Sequence, residues 1–178
     1  NINSLNALLK IIEEPPKNNY FLLINNKSKL LIETVKSRCL DIKIILNETL
    51  RKNIIESLIG KFQIDTIINP HKSALSPGNF IKFNYIFNEN NISLDEDYMK
   101  NLIILLNLYK KDKESMFIDM ILFLTDSYFN KLRNKNTLTN DKIIKYKNFV
   151  FKNINNFFMY NLNQNSLLNA ISNKITDE

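Results

Sequence analysis

Asn6-Ala7-Leu8-Leu9-Lys10-Ile11-Ile12-Glu13-Glu14-Pro15-Pro16 is the stretch from which the organisation of the chain is read. Leu5, Leu8, Leu9 and Ile12 fall at i, i+3, i+4 and i+7, the apolar stripe of an amphipathic helix running from Ile2 to Glu14. Pro15-Pro16 ends it, since proline lacks the N–H that the next turn requires. Glu13-Glu14 reads as a solvated acidic helix end. Beyond the prolines, Tyr20-Phe21-Leu22-Leu23-Ile24 is a short apolar run bounded by Asn on both sides, the pattern of a strand buried on two faces. Asn25-Asn26-Lys27-Ser28 forms the turn, a short helix is predicted from Lys29 to Val35, and Asp41 to Leu46 alternates as a second strand. The opening third thus reads α-β-α-β, the remnant of a parallel α/β sheet.

After Leu46 nearly every segment has helical period. Asn47 caps a helix carrying Leu50, Ile54 and Leu58, with Gly60 as its stop. Ile68-Asn69-Pro70-His71-Lys72 reads as a linker, and Ser76-Pro77 places a cap and an N1 proline before a helix with Phe80 and Phe83 inward. Asn88 to Ser93 is polar and marks the next boundary. Four helices are predicted after it. Tyr98, Leu102, Leu105, Leu106 and Tyr109 mark the first, and Phe117, Met120, Ile121, Leu124 and Tyr128 the second. The third runs from Thr139 to Leu162 with two stripes, Ile143-Tyr146-Val150-Ile154-Phe157 and Ile144-Phe151-Phe158, and is expected to be buried on two sides. Leu167, Leu168, Ile171 and Ile175 mark the fourth.

Composition bounds the chemistry. The 178 residues are 44% hydrophobic and 24% charged, with 2 Gly and 4 Pro, which disfavours turn-dense all-β folds and any Gly-rich phosphate cradle within this sequence. The chain opens at Asn1 with a helical pattern running by Leu5, which suggests a part of a longer protein. The single cysteine, Cys39, leaves no intramolecular disulfide and fits a reducing, cytoplasmic setting. The most apolar stretch, Leu102 to Leu108, is broken by Asn107 and flanked by lysines, so a membrane span is not expected. The lone His71 sits beside Pro70 as a solvated loop residue, and no ligand set for zinc or calcium is present, so no metal is expected. Lysines outnumber arginines 21 to 3 in a composition dominated by Asn and Ile, so codon bias accounts for much of the net charge of +6. The segment Lys110 to Lys152 holds +5 of it and is the place to look for nucleic-acid contact.

Three pieces in order, Asn6 to Pro16, Phe21-Leu22-Leu23-Ile24 and Ser37-Arg38-Cys39, resemble the clamp-loader branch of the AAA+ ATPases, whose members carry an NALLKxLEEPP-like helix, a sensor strand and the Ser-Arg-Cys motif. The resemblance implies a mainly α chain: residues 1–46 as the end of the AAA+ α/β domain, 47–90 as a helical lid, and 91–178 as a helical collar that joins subunits. It further implies that Arg38 is an arginine finger acting in trans on the nucleotide of a neighbouring subunit, supported by Ser37 and Cys39. Phosphoryl transfer calls for such a planar, permanently charged donor. Cys39 would be a buried small hydrophobe packing the base of the finger. In hydrolysing members a lid Arg senses nucleotide from within the subunit; Gly78 stands at that place, in a Ser76-Pro77-Gly78 stretch similar to that of a non-hydrolysing member of the family. Ile32-Glu33 replaces the proline usual after the Leu-Leu pair, and Lys36 precedes the Ser-Arg-Cys motif.

Such a subunit would be a stator, not catalytic alone, in the clamp loader of the bacterial replicative polymerase. It would bind no cofactor itself, ATP and Mg lying in a neighbouring subunit. Its partners would be gamma/tau and delta types of clamp-loader subunit and, through the complex, the sliding clamp and primed DNA. A hydrolysing gamma/tau-type subunit and a basic helical nucleic-acid-binding domain stand as alternatives.

Overall fold

In a computed structural model, residues 9–25, 32–135 and 139–176 are described. Residues 1–8, which hold Leu5 and the Asn6-Ala7-Leu8 start of the first motif, and residues 26–31 and 136–138 lie outside them. The chain divides into two compact units, Asn1–Leu46 and Asn47–Glu178.

In the first unit, residues 9–13 are helical (α1) and Pro15-Pro16 follows their end. Glu33–Lys36 forms a single-turn helix (α2) whose buried anchor is Val35. Neither expected strand forms. Residues 20–25 and 40–46 are without a ladder partner among the described residues, and Tyr20 and Ile24 stand 95% and 89% exposed. The physical reason is that a strand exists only against a neighbour. Two apolar segments do not make a stable parallel sheet by themselves, whatever their side-chain pattern.

The second unit is all α among the described residues. Asn47 caps α3 (Glu48–Phe62), its Oδ1 accepting the N–H of Leu50 at 2.8 Å. The buried face of α3 is not the expected Leu50-Ile54-Leu58 stripe: Ile55 is 0% exposed and Leu50 is 49% exposed. Arg51 lies in the same row as Ile55 and Ile59: its Nη1 donates to Leu75 O (3.2 Å) and its Nη2 to Pro70 O (3.5 Å), so that the row packed on the next helix also meets the 70–75 loop. Gly60 does not stop the helix either. It sits in the last turn with ordinary helical φ, and Gln63, in the left-handed region at φ 50°, ends it through an N–H to Ile59 O. A Cβ at Gly60 would meet nothing within 4 Å. Gly60→Ala is therefore expected to stabilise the protein by about 0.5–1 kcal/mol, read as an upward shift of the thermal midpoint.

The segment expected as a linker, Ile68 to Lys72, is tied to the core at its first residue, while Asn69, His71 and Lys72 are exposed. Ile68 is buried, and the N–H groups of Ile67 and Ile68 both donate to Oδ1 of the buried Asn84, at 2.7 and 2.9 Å. Asn84 Nδ2 in turn donates to Phe80 O at 2.8 Å. Asn84 lies on α4 (Pro77–Glu89), which starts as its sequence dictates: Ser76 Oγ accepts the N–H of Asn79 at 3.3 Å and Pro77 occupies the first turn. Phe80, Phe83 and Phe87 are fully buried.

The four later helices are α5 (Tyr98–Asp112), α6 (Ser115–Lys135), α7 (Asn140–Tyr160) and α8 (Gln164–Thr176). α5 packs on α6, α6 on α7, α7 on α8, and α8 returns to α5. Asp97 caps α5 by accepting the N–H of Met99, and Lys113 closes it in the left-handed region. Inside, Tyr98 donates to or accepts from Thr125 Oγ1 at 3.0 Å, and burial pushes the Tyr98 phenol above its ordinary range. The second stripe of α7 is only half covered. Phe158 meets Tyr109 edge-on at 4.8 Å and Phe151 lies under Lys147 Nζ at 5.7 Å, yet Ile144 is 55% exposed. A single neighbouring helix on that side covers a stripe, not a whole face. One hydrophobic cluster runs from Ile55 and Phe80 through Leu106 and Ile121 to Ile171.

Candidate functional site

Arg38 follows α2 by two residues. The chain leaves that helix in a tight turn, with the N–H of Ser37 donating to Glu33 O (2.9 Å), that of Arg38 to Val35 O (3.1 Å) and that of Cys39 to Lys36 O (3.5 Å). The last carbonyls of a helix have no partner within it and are ready acceptors. Thr34 O is used in this way twice, by Ser37 Oγ at 3.2 Å and by Arg38 Nη1 at 2.9 Å. Arg38 Nη1 also approaches Ser37 Oγ at 3.4 Å. Nε forms an ion pair with Oε1 of Glu13, at the end of α1. So two of the three guanidinium nitrogens are held, Nη1 by backbone and hydroxyl and Nε by carboxylate, while Nη2 has no partner among the described residues. The side chain remains 38% exposed.

Ser37, Arg38 and Cys39 are therefore placed together at one turn, with the Ser37 hydroxyl beside Nη1 of the guanidinium. Cys39 is half-buried rather than buried, because a one-turn helix offers little surface to cover the residue that follows it. A guanidinium held in this way can present a planar pair of donors to an anion such as phosphate. Glu13, expected as a solvated helix end, is the residue at this site whose role sequence reasoning missed. Its partner lies 25 residues away, and nothing local in the sequence signals the pairing. Arg51 was likewise not legible: it is committed to the 70–75 loop and is no second candidate finger.

Elsewhere the chemistry is sparse. Among the described residues no group of three or more His, Cys, Asp or Glu side chains could hold a metal ion, and no helix is long and apolar enough to cross a membrane. The groove lined by Phe62, Ile64, Ile81, Lys82, Tyr85, Ile86, Glu114 and Met116, of ≈ 520 Å³, brings no nucleophile and base together. Gly78 sits in the first turn of α4, where an added Cβ would meet nothing within 4 Å, so space does not dictate glycine there. In the basic segment, Lys131 and Lys147 are paired with Asp95 and Asp126, and Lys113 lies over the Tyr109 ring. Lys131 beside Asp95 holds that carboxyl below the usual carboxylate range.

Comparison with known proteins adds to this geometry. A family model described as DNA polymerase III, delta subunit, matches residues 1–48. The chain is 34% identical over 167 residues to DNA polymerase III subunit delta′ of Buchnera aphidicola subsp. Schizaphis graminum, covering 88% of this chain and 50% of that protein. It is 30% identical over 169 residues to the subunit of the same name from the subspecies of Acyrthosiphon pisum, again covering 50% of the relative. A third, from the subspecies of Baizongia pistaciae, is 60% identical over 37 residues. The chain thus spans about half the length of the first two relatives. No solved structure matches. The motifs lie within the stretch matched by the family model, and similarity to proteins named DNA polymerase III subunit delta′ extends over most of the chain.

Proposed function

We propose that this chain, similar over most of its length to subunit delta′ of DNA polymerase III, acts in a clamp loader as a non-hydrolysing stator that lends Arg38 to the nucleotide site of a neighbouring subunit. The observation that carries the proposal is the Ser37-Arg38-Cys39 turn, where the arginine is anchored through Nε and Nη1 and open at Nη2. An anchored, half-exposed guanidinium suits transfer to a partner's phosphate, because little side-chain freedom is left to lose on binding. ATP and Mg belong, in this reading, to the neighbour. Residues 47–90 and 91–178 serve as lid and collar, and gamma/tau- and delta-type subunits, the sliding clamp and primed DNA are the partners.

Gly78 favours the stator over a hydrolysing subunit, since it supplies no nucleotide-sensing side chain where space would admit one. In the basic segment Lys131 and Lys147 are paired with carboxylates, which withdraws two of its ten cations from the surface that the nucleic-acid-binding alternative would use. The test is reconstitution with the full-length protein. Clamp loading onto primed DNA should require it, while the protein alone should bind DNA weakly. Full loading activity in its absence would overturn the proposal, and tight, steeply salt-dependent DNA binding by the protein alone would favour the basic-domain alternative.

A further inference from the structure

We infer that Glu13 is the positioning residue of Arg38, its carboxylate holding Nε of the guanidinium so that Nη2 is offered to a neighbour's phosphate. The inference rests on the reading of Arg38 as a finger. It starts from an oddity of placement. A carboxylate at the C-terminal end of a helix faces the negative end of the backbone dipole, so local helix stability does not favour an acid at the end of α1. Two acids stand there nonetheless. Glu14 has no side-chain partner among the described residues, whereas Glu13 reaches across to Arg38.

The division of the guanidinium's five donors supports the assignment. Nε goes to Glu13, and Nη1 to Thr34 O and Ser37 Oγ, so the two held nitrogens fix both the position and the plane of the fork. Thr34 O and Ser37 alone would fix one nitrogen and leave the plane free to swing about it. The carboxylate supplies the second point. Holding a catalytic group in place matters steeply, since a displacement of about 1 Å can cost on the order of 10²-fold in rate.

The experiment measures steady-state ATPase of the complex reconstituted with the full-length protein. Glu13→Ala is expected to lower kcat about 10-fold, a fraction of the roughly 10³ attached to a missing finger, with KM for ATP and assembly unchanged. Glu13→Gln, which keeps an acceptor of the same reach without the charge, should recover part of the loss. Glu14→Ala, the same charge change one residue away, should behave as wild type. Because Glu13 acts through Arg38, Glu13→Ala should have no further effect in an Arg38→Ala background. Unchanged or raised turnover for Glu13→Ala, where Arg38→Ala itself is impaired, overturns the inference and leaves the finger standing. A further loss on top of Arg38→Ala shows a merely structural role and also overturns it. Unchanged turnover for Arg38→Ala removes the finger reading, and the inference with it.

Discussion

Arg38→Ala is expected to cut the ATPase of the reconstituted clamp loader by about 10³-fold while leaving the fold and the assembly of the protein intact. The two halves of that expectation come from different magnitudes. In the fold, Arg38 makes one ion pair with a carboxylate that is itself 43% exposed, and a single hydrogen bond under 3 Å, to Thr34 O. Exposed ion pairs of this kind contribute about 0–1 kcal/mol, so their loss is small beside a domain stability of about 5–15 kcal/mol. At a transferring phosphoryl group the same guanidinium is worth roughly 10³ or more in rate, about 4 kcal/mol at 1.36 kcal/mol per decade. Arg38→Lys should not restore the rate: an ammonium keeps the charge but cannot hold Glu13 and Thr34 O with two nitrogens and still offer a third. The measurement is turnover of the complex beside the melting curve of the variant. Wild-type turnover in Arg38→Ala, or full rescue by lysine, would refute the assignment.

What could be read in the sequence is what short-range physics decides. Asn47 and Ser76-Pro77 announced their helices because a cap needs only a side-chain oxygen and an N–H three residues on. The stripes of α5 to α8 were legible because each repeats over three or more turns, and Leu102, Met120, Val150 and Ile171 are buried as expected. The failures lie where a distant partner chooses. Tyr20 to Ile24 has the side chains of a buried strand and no ladder to join among the described residues. Leu50 and Ile54 satisfy the helical period as well as Ile55 does, and the face that turns inward is the one that packs against α4, with Arg51 in the same row reaching the carbonyls of Pro70 and Leu75. Asn84, one of 30 asparagines in a biased composition, gave no sign that it would accept two backbone N–H groups inside the core. In the candidate site, the motif points to Arg38, but its ion pair with Glu13 is visible only once α1 and α2 are brought together.

Phe83→Ala is expected to cost about 3–5 kcal/mol, and to weaken α3–α4 and α5–α8 together rather than α4 alone. Phe83 and Phe87 are fully buried, and the ring of Phe123 on α6 meets both, edge-on to Phe83 at 5.8 Å and tilted to Phe87 at 6.5 Å. Such aromatic contacts contribute beyond their buried area, and truncation leaves a cavity in the second unit where residues 47–90 meet the later helices. Removing everything after Ser93 would take Phe123 away from both rings and present Phe83 and Phe87 to water, so that truncation reports on folding before it reports on assembly. The point substitution separates the two. By amide exchange on the full-length protein, 3–5 kcal/mol corresponds to a loss of about 10²- to 10⁴-fold in protection wherever exchange requires the whole unit to open. A loss of that size in α6 and α7 as well as in α4 is the expected result. Protection that falls in α3 and α4 while α6 and α7 keep theirs would mean that residues 47–90 open independently of the four helices that follow.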